Sequence, residues 1–359
     1  MIRTHTEAEY RKIPCLSYSS IKDFIKSPSY FYKKHILKDI KEDDPSEDMI
    51  RGQLVDCLLL DKDNFDNKFI ISTQGELDPS KNQMNYFACK LWEKTVAALD
   101  EETGIMSMDF QELFVAAWED CIQPNSKGEQ ERFKKKEIDY VVSKFEGTSY
   151  EVWYAEKRVA FLEKKTMVSV QQVTDCENIV NNLLTHPNFQ DIFFAETGIE
   201  FLNQFPILFD IDGISIKSLV DRLMVNHNEK YVKPFDLKVS WELENFGYNL
   251  LKNFYYIQAA TYNAAVLQWA MDNYPGYAVK PMEFIVADSR NFIQPLRYQC
   301  TNSDLVHFYT GFKLKSGKEY VGLNQAIQGL EWALNEQKWN ITKKNHENNN
   351  IAQLNLQYE

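Results

Sequence analysis

No stretch of the chain approaches the ~20 consecutive apolar residues that cross a bilayer. The opening MIRTHTEAEYRK also lacks the apolar centre of a secretory leader. The expectation is a cytoplasmic protein with no membrane partner. Cys15, Cys57, Cys89, Cys121, Cys176 and Cys300 are scattered, with no C-x-x-C pair and no histidine at matching spacing. That pattern argues against a zinc or iron–sulfur centre and for reduced structural thiols. The 6 histidines form no cluster, and no internal repeat is visible. Positive charge is short as well: 40 Lys and Arg against 52 Asp and Glu leave a net charge of −12. Phosphate contacts come from Lys, Arg and backbone donors, so this balance disfavours nucleic acid as a partner. A locally basic groove is still permitted, because net charge describes the whole surface.

What is present is the material of a large core. The 359 residues are 44% hydrophobic, with 23 Phe, 19 Tyr and 7 Trp, a composition for packing rather than disorder. The length suggests roughly two domains, or one elaborated α/β domain.

Residues 200–262 organise the rest. IEFLNQFPILF and ISIKSLVDRLMV are β-rich runs separated by the turn signal Asp210, Asp212 and Gly213. A second break at Asn226, Asn228 and Glu229 leads into YVKPFDLKVS, and a long amphipathic helix follows from about Tyr248 to Asp272. Strand alternation places Asp236 and Lys238 on one face, with Phe235, Leu237 and Val239 on the other. The same alternation sets Asp221 and Lys217 opposite Ile214, Ile216, Ser218 and Val220. If these strands are neighbours, Asp221 and Asp236 converge on one divalent cation with Lys238 beside the reacting group. Mg²⁺ prefers such oxygen donors and keeps positions open for phosphate. Each piece alone is common; an aspartate at a strand end is usually a turn former.

Two further stretches invite a reading from the residues. LSYSSIKDFIKSPSYFYKKHI is a helix capped at Ser20 with Asp23 three positions on, interrupted at Pro28. A hydroxyl-bearing helix start is a ready anion site. The basic cluster Lys33, Lys34, His35, Lys38 and Lys41 is a solvated face or a strand-guiding patch. MIRGQLVDCLLLDKDNF has the spacing of a buried helix, on which Asp56 needs a partner.

The ordered set Glu200, Lys217, Asp221, Asp236-Leu237-Lys238, Gln258 and Tyr262 resembles the PD-(D/E)xK nuclease superfamily, in its exonuclease VIII (RecE)-like and lambda exonuclease-like branch. Gln258 and Tyr262 are four apart, on one helix face, and match that branch's Q-x-x-x-Y. Gly52 and Leu58-Leu59-Leu60 resemble its G-x-x-x-H-x-L-L-L block, with Asp56 where histidine is usual. The resemblance covers about residues 16–72 and 166–335. It implies a mixed central sheet flanked by helices, an α/β fold carrying a helical insertion. It implies Asp221, Asp236 and the Leu237 carbonyl as ligands of Mg²⁺, with Mn²⁺ as a substitute, Asp56 completing a second position and Glu200 contributing. Lys238 would orient or deprotonate the attacking water, or stabilise charge on phosphate, and Gln258 would position water or phosphate. Tyr262 would pack or touch the DNA backbone alongside Lys217, and Ser19 with Lys12 would hold a terminal 5′-phosphate. The implied activity is 5′-to-3′ digestion of one strand from double-stranded DNA ends for recombination. A ring-shaped homo-oligomer and a single-strand annealing protein are the implied partners. An endonuclease, a 3′-directed nuclease and a catalytically silent DNA-binding or assembly protein of the same fold are the alternatives.

The remaining expectations concern organisation: one nuclease domain over 1–340, an insertion at about 75–165 and a flexible polar tail at 341–359. Within the insertion, NYFACKLWEKTVAALDEE and MDFQELFVAAWEDCI read as amphipathic helices, KGEQERFKKKEIDYVV as a charged loop or lid, and SYEVWYAEKRVAFLEKK as a β-hairpin. The stretch from Thr166 reads as a helix that ends at His186-Pro187. PMEFIVAD and FIQPLRYQC read as a strand pair, and the segment after Ser303 as largely helical.

Overall fold

Asp212 and Gly213 adopt left-handed backbone (φ 50° and 80°), the two-residue turn whose twist matches antiparallel strands. The β-rich runs on either side therefore fold back as a long hairpin, the centre of a computed structural model that describes residues 7–40, 45–100, 103–122, 138–290 and 294–351. The chain divides into two units, one formed by Met1–Asp61 with Asn178–Glu359 and the other by Lys62–Glu177.

In the first unit the helices are α1 (Glu7–Lys12), α2 (Tyr18–Lys26), α3 (Glu47–Leu60) and, beyond the hairpin, α4 (Tyr255–Asn273). The strands are β1 (Ile199–Ile211), β2 (Ile214–Asn226), β3 (Tyr231–Ser240), β4 (Ala278–Val279), β5 (Glu283–Asp288) and β6 (Leu296–Gln299). They form one six-stranded sheet in the order β1-β2-β3-β5-β6, with β4 pairing the start of β3. β3 runs parallel to β5 and antiparallel to β2, so the sheet is mixed. A parallel neighbour requires a crossover, and α4 supplies it. The architecture is mixed α/β, a central mixed sheet with helices against it.

α4 covers one face: Val232, Phe284 and Val286 of the sheet pack with Ile257, Ala259 and Val266 of the helix. On the other face Leu59 and Leu60 of α3 stand with Phe235, Leu237 and Ile285. Burying side chains of this size yields roughly 1.5–3 kcal/mol each, and this sandwiching fixes the strands from which the charged residues emerge.

The second unit has its own core, in which Phe87, Leu91, Phe114, Phe145 and Trp153 interlock. Helices Gln83–Ala98 and Phe110–Ile122 occupy the segments expected to be amphipathic helices. The expected hairpin is instead the helix Ser149–Leu162, begun by Thr148 accepting from the Tyr150 N–H. Its aromatic content suggested strands, but Trp153, Tyr154 and Ala160 lie at helical spacing and are buried. The expected lid falls largely on residues 123–137, outside the described residues, and its end, Ile138–Phe145, is helical. Thr166–Ser169 is a strand parallel to Phe69–Ser72 and precedes the helix Val170–Thr185, whereas one helix was expected there. His186 caps the next turn, its Nδ1 accepting from the Asn188 N–H.

Two further expectations need correction. The cap of α2 lies three residues before Ser20: Ser17 is the N-cap, and Ser20 Oγ accepts from the Ser17 N–H. Part of the expected polar tail is the short helix Lys343–Glu347, held by Lys344 to Glu319 and by His346 against Trp332; residues 352–359 lie outside the described residues.

Candidate active site

The β2/β3 ladder runs from Asn226 opposite Tyr231 to Arg222 opposite Phe235, and there it stops. One step further in the same register, Asp221 and Asp236 stand across from each other as β3 continues against β5 alone. The Leu237 N–H donates to Asp221 Oδ2 at 2.9 Å, so a carboxylate takes the place of a ladder carbonyl. The expected convergence of two aspartates from neighbouring strands is what the backbone builds.

Strict alternation did not place Asp221 correctly. Along β2 the core residues are Ile216 and Val220, then Leu223 and Val225; along β1 they are Phe205 and Ile207, with Leu202 packed beside them. The inward parity thus changes at Asp221 and at Gln204, the position opposite it, where φ is 45°. Such an irregularity re-aims side chains. Asp221 therefore leaves the face it would share with Lys217 and meets Asp236.

Asp236 is fully buried on the α4 side. Its Oδ1 accepts from Gln258 Nε2 at 2.7 Å, and the same amide donates to the Tyr262 hydroxyl at 3.1 Å. Lys238, two residues along the same strand face, forms an ion pair with Asp236 Oδ2, and its ammonium lies 4.9 Å from the centre of the Tyr255 ring. Burial raises the Asp221 carboxyl well above the ordinary aspartate range, the charges of Asp236 and Asp56 raise it further, and Lys238 offsets them only in part. Burial raises Asp236 too, against the opposing pull of Lys238. Burial also works against the Lys238 charge, but Asp236 and Asp221 outweigh it and hold the ammonium above the ordinary lysine range. Asp221 and Asp236 share that one ammonium.

Two buried acceptors are left without a hydrogen bond among the described residues, Asp236 Oδ2 and Gln258 Oε1. Asp236 Oδ2 is nonetheless taken up by the Lys238 ammonium in an ion pair. Buried acceptors are rarely left this way unless a ligand or water completes them. An all-oxygen donor set suits a hard divalent cation such as Mg²⁺. The fit is to a sparse site, since no group of three or more His, Cys, Asp or Glu close enough to hold a metal occurs among the described residues. Asp56, on α3, is felt at Asp221 as charge but does not close with both aspartates into one cluster.

Other expected residues lie elsewhere. Glu200 is opposite Val225, four residues from Asp221 or roughly 13 Å along a strand, and its partner is His227 at 3.5 Å. The structure does not bring it into the site. Lys217 Nζ donates to the carbonyls of Tyr10, Arg11 and Ile13 at 2.8–3.1 Å, so its three protons pin the N-terminal segment rather than await a phosphate. Tyr262 lines a cavity of about 560 Å³ with Ser17, Ser19, Ser218, Arg11 and His35. Lys12 is exposed at the end of α1 and does not line it; Arg11 stands there instead.

Residues not anticipated are Arg11 and Ser218 of this cavity, and Tyr18, a half-buried phenol close enough to Asp236 to feel its charge. Adjacency to Lys12, Lys217 and Ser19 was the only sequence signal for them.

No protein-family model matches the sequence, and no curated protein matches it. A crystal structure of an exonuclease candidate from Eubacterium rectale superposes over 97% of this chain and 88% of its own, at 13% identity and a TM-score of 0.40. So loose a superposition carries no weight for ancestry or chemistry. Among the described residues no helix is long and apolar enough to cross a membrane.

Proposed function

We propose that this chain is a Mg²⁺-dependent deoxyribonuclease that hydrolyses phosphodiester bonds, digesting one strand of duplex DNA from an end in the 5′-to-3′ direction. The observation that carries this reading is the pairing of Asp221 and Asp236 beside the Lys238 ammonium, with buried Gln258 Oε1 still open to a ligand. Asp221 and Asp236 would hold the cation, with the Leu237 carbonyl and Asp56 as further oxygen donors and Mn²⁺ as a substitute. When bound, the cation supplies Lewis-acid polarisation of the phosphodiester.

The chain's own residues supply the rest. Lys238, held protonated by two carboxylates, serves better to stabilise charge developing on phosphate than to accept a proton. Gln258 spends both amide protons on Asp236 and Tyr262, which orients its free carbonyl oxygen as an acceptor for water. The cavity at Tyr262, bearing Ser17 and Ser19 hydroxyls and Arg11, suits a terminal 5′-phosphate and supports action from an end. A ring-shaped homo-oligomer and an annealing partner belong to the same proposal and rest on the family resemblance alone.

The sparse acid cluster favours a second reading, a silent DNA-binding protein of the same fold. One assay separates them: linear duplexes with 5′-phosphoryl or 5′-hydroxyl ends and covalently closed circles, each with Mg²⁺, Mn²⁺ or chelator. Metal-dependent loss of the 5′-phosphoryl linear duplex with circles intact is expected. No cleavage under any condition establishes the silent reading, and equal cutting of all three substrates establishes an endonuclease.

A further inference from the structure

Lys22 and Lys26 are four apart on α2, which sets both side chains on one face of the helix. Lys22 Nζ lies 5.4 Å from the centre of the Tyr18 ring, and Lys26 Nζ 5.8 Å from that of Phe254. Neither ammonium is paired with a carboxylate among the described residues. The adjacent Asp23 is taken up by Lys34 at 3.1 Å and His35 at 3.0 Å. Tyr18 also feels the charges of Tyr255 and Asp236, and the Lys238 ammonium stands over Tyr255, so the two lysines border the paired aspartates. Burial lowers the Lys22 ammonium below the ordinary lysine range, and Lys26, Lys34 and Lys238 lower it further against the pull of Asp23. In a chain of net charge −12, cations crowding one another is a local reversal of sign. The patch is braced as well: the Tyr18 hydroxyl donates to the Asn253 carbonyl at 2.7 Å, and Phe254 holds left-handed backbone at φ 62°, which a bulky residue adopts only under constraint. Lys26, in the last turn of α2, suits the helix dipole; Lys22, a turn earlier, has no such reason to be there.

We propose that Lys22 and Lys26 are substrate-binding residues that hold internal backbone phosphates of the strand being cut, along the run of nucleotides next to the scissile bond. This deepens the nuclease reading and rests on it. With the reacting phosphate at Lys238, the strand that continues from it crosses the surface beside that lysine. A polyanion brings counter-charge to both ammonium groups at once and releases the ions condensed on it. The rings of Tyr18 and Phe254 seat the two cations without neutralising them, so their charge stays available to phosphate. Internal phosphates are alike at every sequence and every end, so these contacts set position and carry no recognition. That separates them from the hydroxyl-lined cavity at Tyr262, whose ligand in the nuclease reading is a chain end. Neither lysine reaches the bonds that change. What they supply is binding shared by ground and transition states, whose loss raises KM and leaves kcat.

The test is binding of the full-length protein, in chelator, to a duplex with 5′-hydroxyl ends, from about 50 to about 200 mM salt. Each phosphate contact contributes about 0.9 to the fall of log affinity with log salt concentration on duplex DNA. Lys22→Gln should reduce that slope by about 0.9 and weaken binding alike across sequences, and the double variant with Lys26→Gln should reduce it by about twice as much. Lys22→Arg should restore the wild-type slope. Lys280, whose ammonium lies 5.5 Å from the Tyr231 ring at the opposite end of β3, is the control for net charge, and Lys280→Gln should keep the slope. Lys26→Gln, exposed at the end of α2, carries the test alone if Lys22→Gln does not fold. An unchanged slope in the lysine variants overturns the proposal, as does an equal loss in Lys280→Gln or a wild type that does not bind DNA. Cleavage with Mg²⁺ judges the nuclease reading separately: slopes that shift without cleavage leave the contacts standing on a protein that binds DNA, and cleavage with slopes that do not shift removes the contacts and leaves the nuclease.

Discussion

Two buried acids on neighbouring parallel strands meet opposite fates. Glu283 of β5, 2% exposed, is saturated: Oε1 takes Lys233 and, at 2.9 Å, Gln299, while Oε2 takes two bonds from Arg297 at 2.8 and 3.0 Å. Arg297 extends the network to Asp191. Asp236 of β3, with no exposure, has one aligned bond from Gln258 and one lysine, and faces another carboxylate. The first arrangement holds strands together and has no capacity left. The second is poorly compensated, and on that difference rests the proposed role of Asp236.

The comparison breaks most readily at Asp236. Asp236→Asn should lower Mg²⁺-dependent cleavage by about 10³-fold, roughly 4 kcal/mol of transition-state stabilisation, with circular dichroism unchanged. A rate within a few-fold of wild type would remove Asp236 from the chemistry. Glu283→Gln should do the reverse, costing about 3 kcal/mol of stability because Lys233 and Arg297 are left short of their counter-charge. Cleavage per folded molecule should hold, as judged by denaturant titration beside the nuclease assay.

Smaller effects sharpen the contrast. Mg²⁺ at a hundred times its Kd should stabilise the wild type and Glu283→Gln by about 2.7 kcal/mol; thermal melts should show no such shift for Asp236→Asn. The smallest effect is a pH dependence. The folded state raises the Asp221 carboxyl, so above the unfolded aspartate value of roughly 3.9 the metal-free native state binds more protons than the unfolded one. Stability is thus fully present below that value and declines as pH rises through the raised folded value. Asp221→Asn should flatten this decline in chelated protein, and an unchanged slope would mean that Asp221 is compensated by some other group.

Much of the site was legible because strand pairs carry it. Alternation in YVKPFDLKVS set Asp236 and Lys238 on one face, and helical spacing set Gln258 over Tyr262; both depend only on local geometry. Glu200 was placed by chain order, and order along a strand is not proximity: four residues of rise carry it to His227 instead. Lys217 looked like a free cation, but its tertiary environment offers three carbonyls of the N-terminal segment. The helix Ser149–Leu162 was misread because aromatic and β-branched residues resemble a strand until their partners in the core are known.

Sequence alone determined the strands of the central sheet, the crossover helix and the shared face of Asp236 and Lys238, because period-2 and period-3.6 patterns are properties of neighbouring residues. Tertiary structure decided the rest. The parity change at Gln204 and Asp221, the diversion of Lys217, the distance of Glu200 and the grouping of His35 with Ser218 all depend on contacts between segments far apart in the chain, whose pairing only the packed sheet and helices specify.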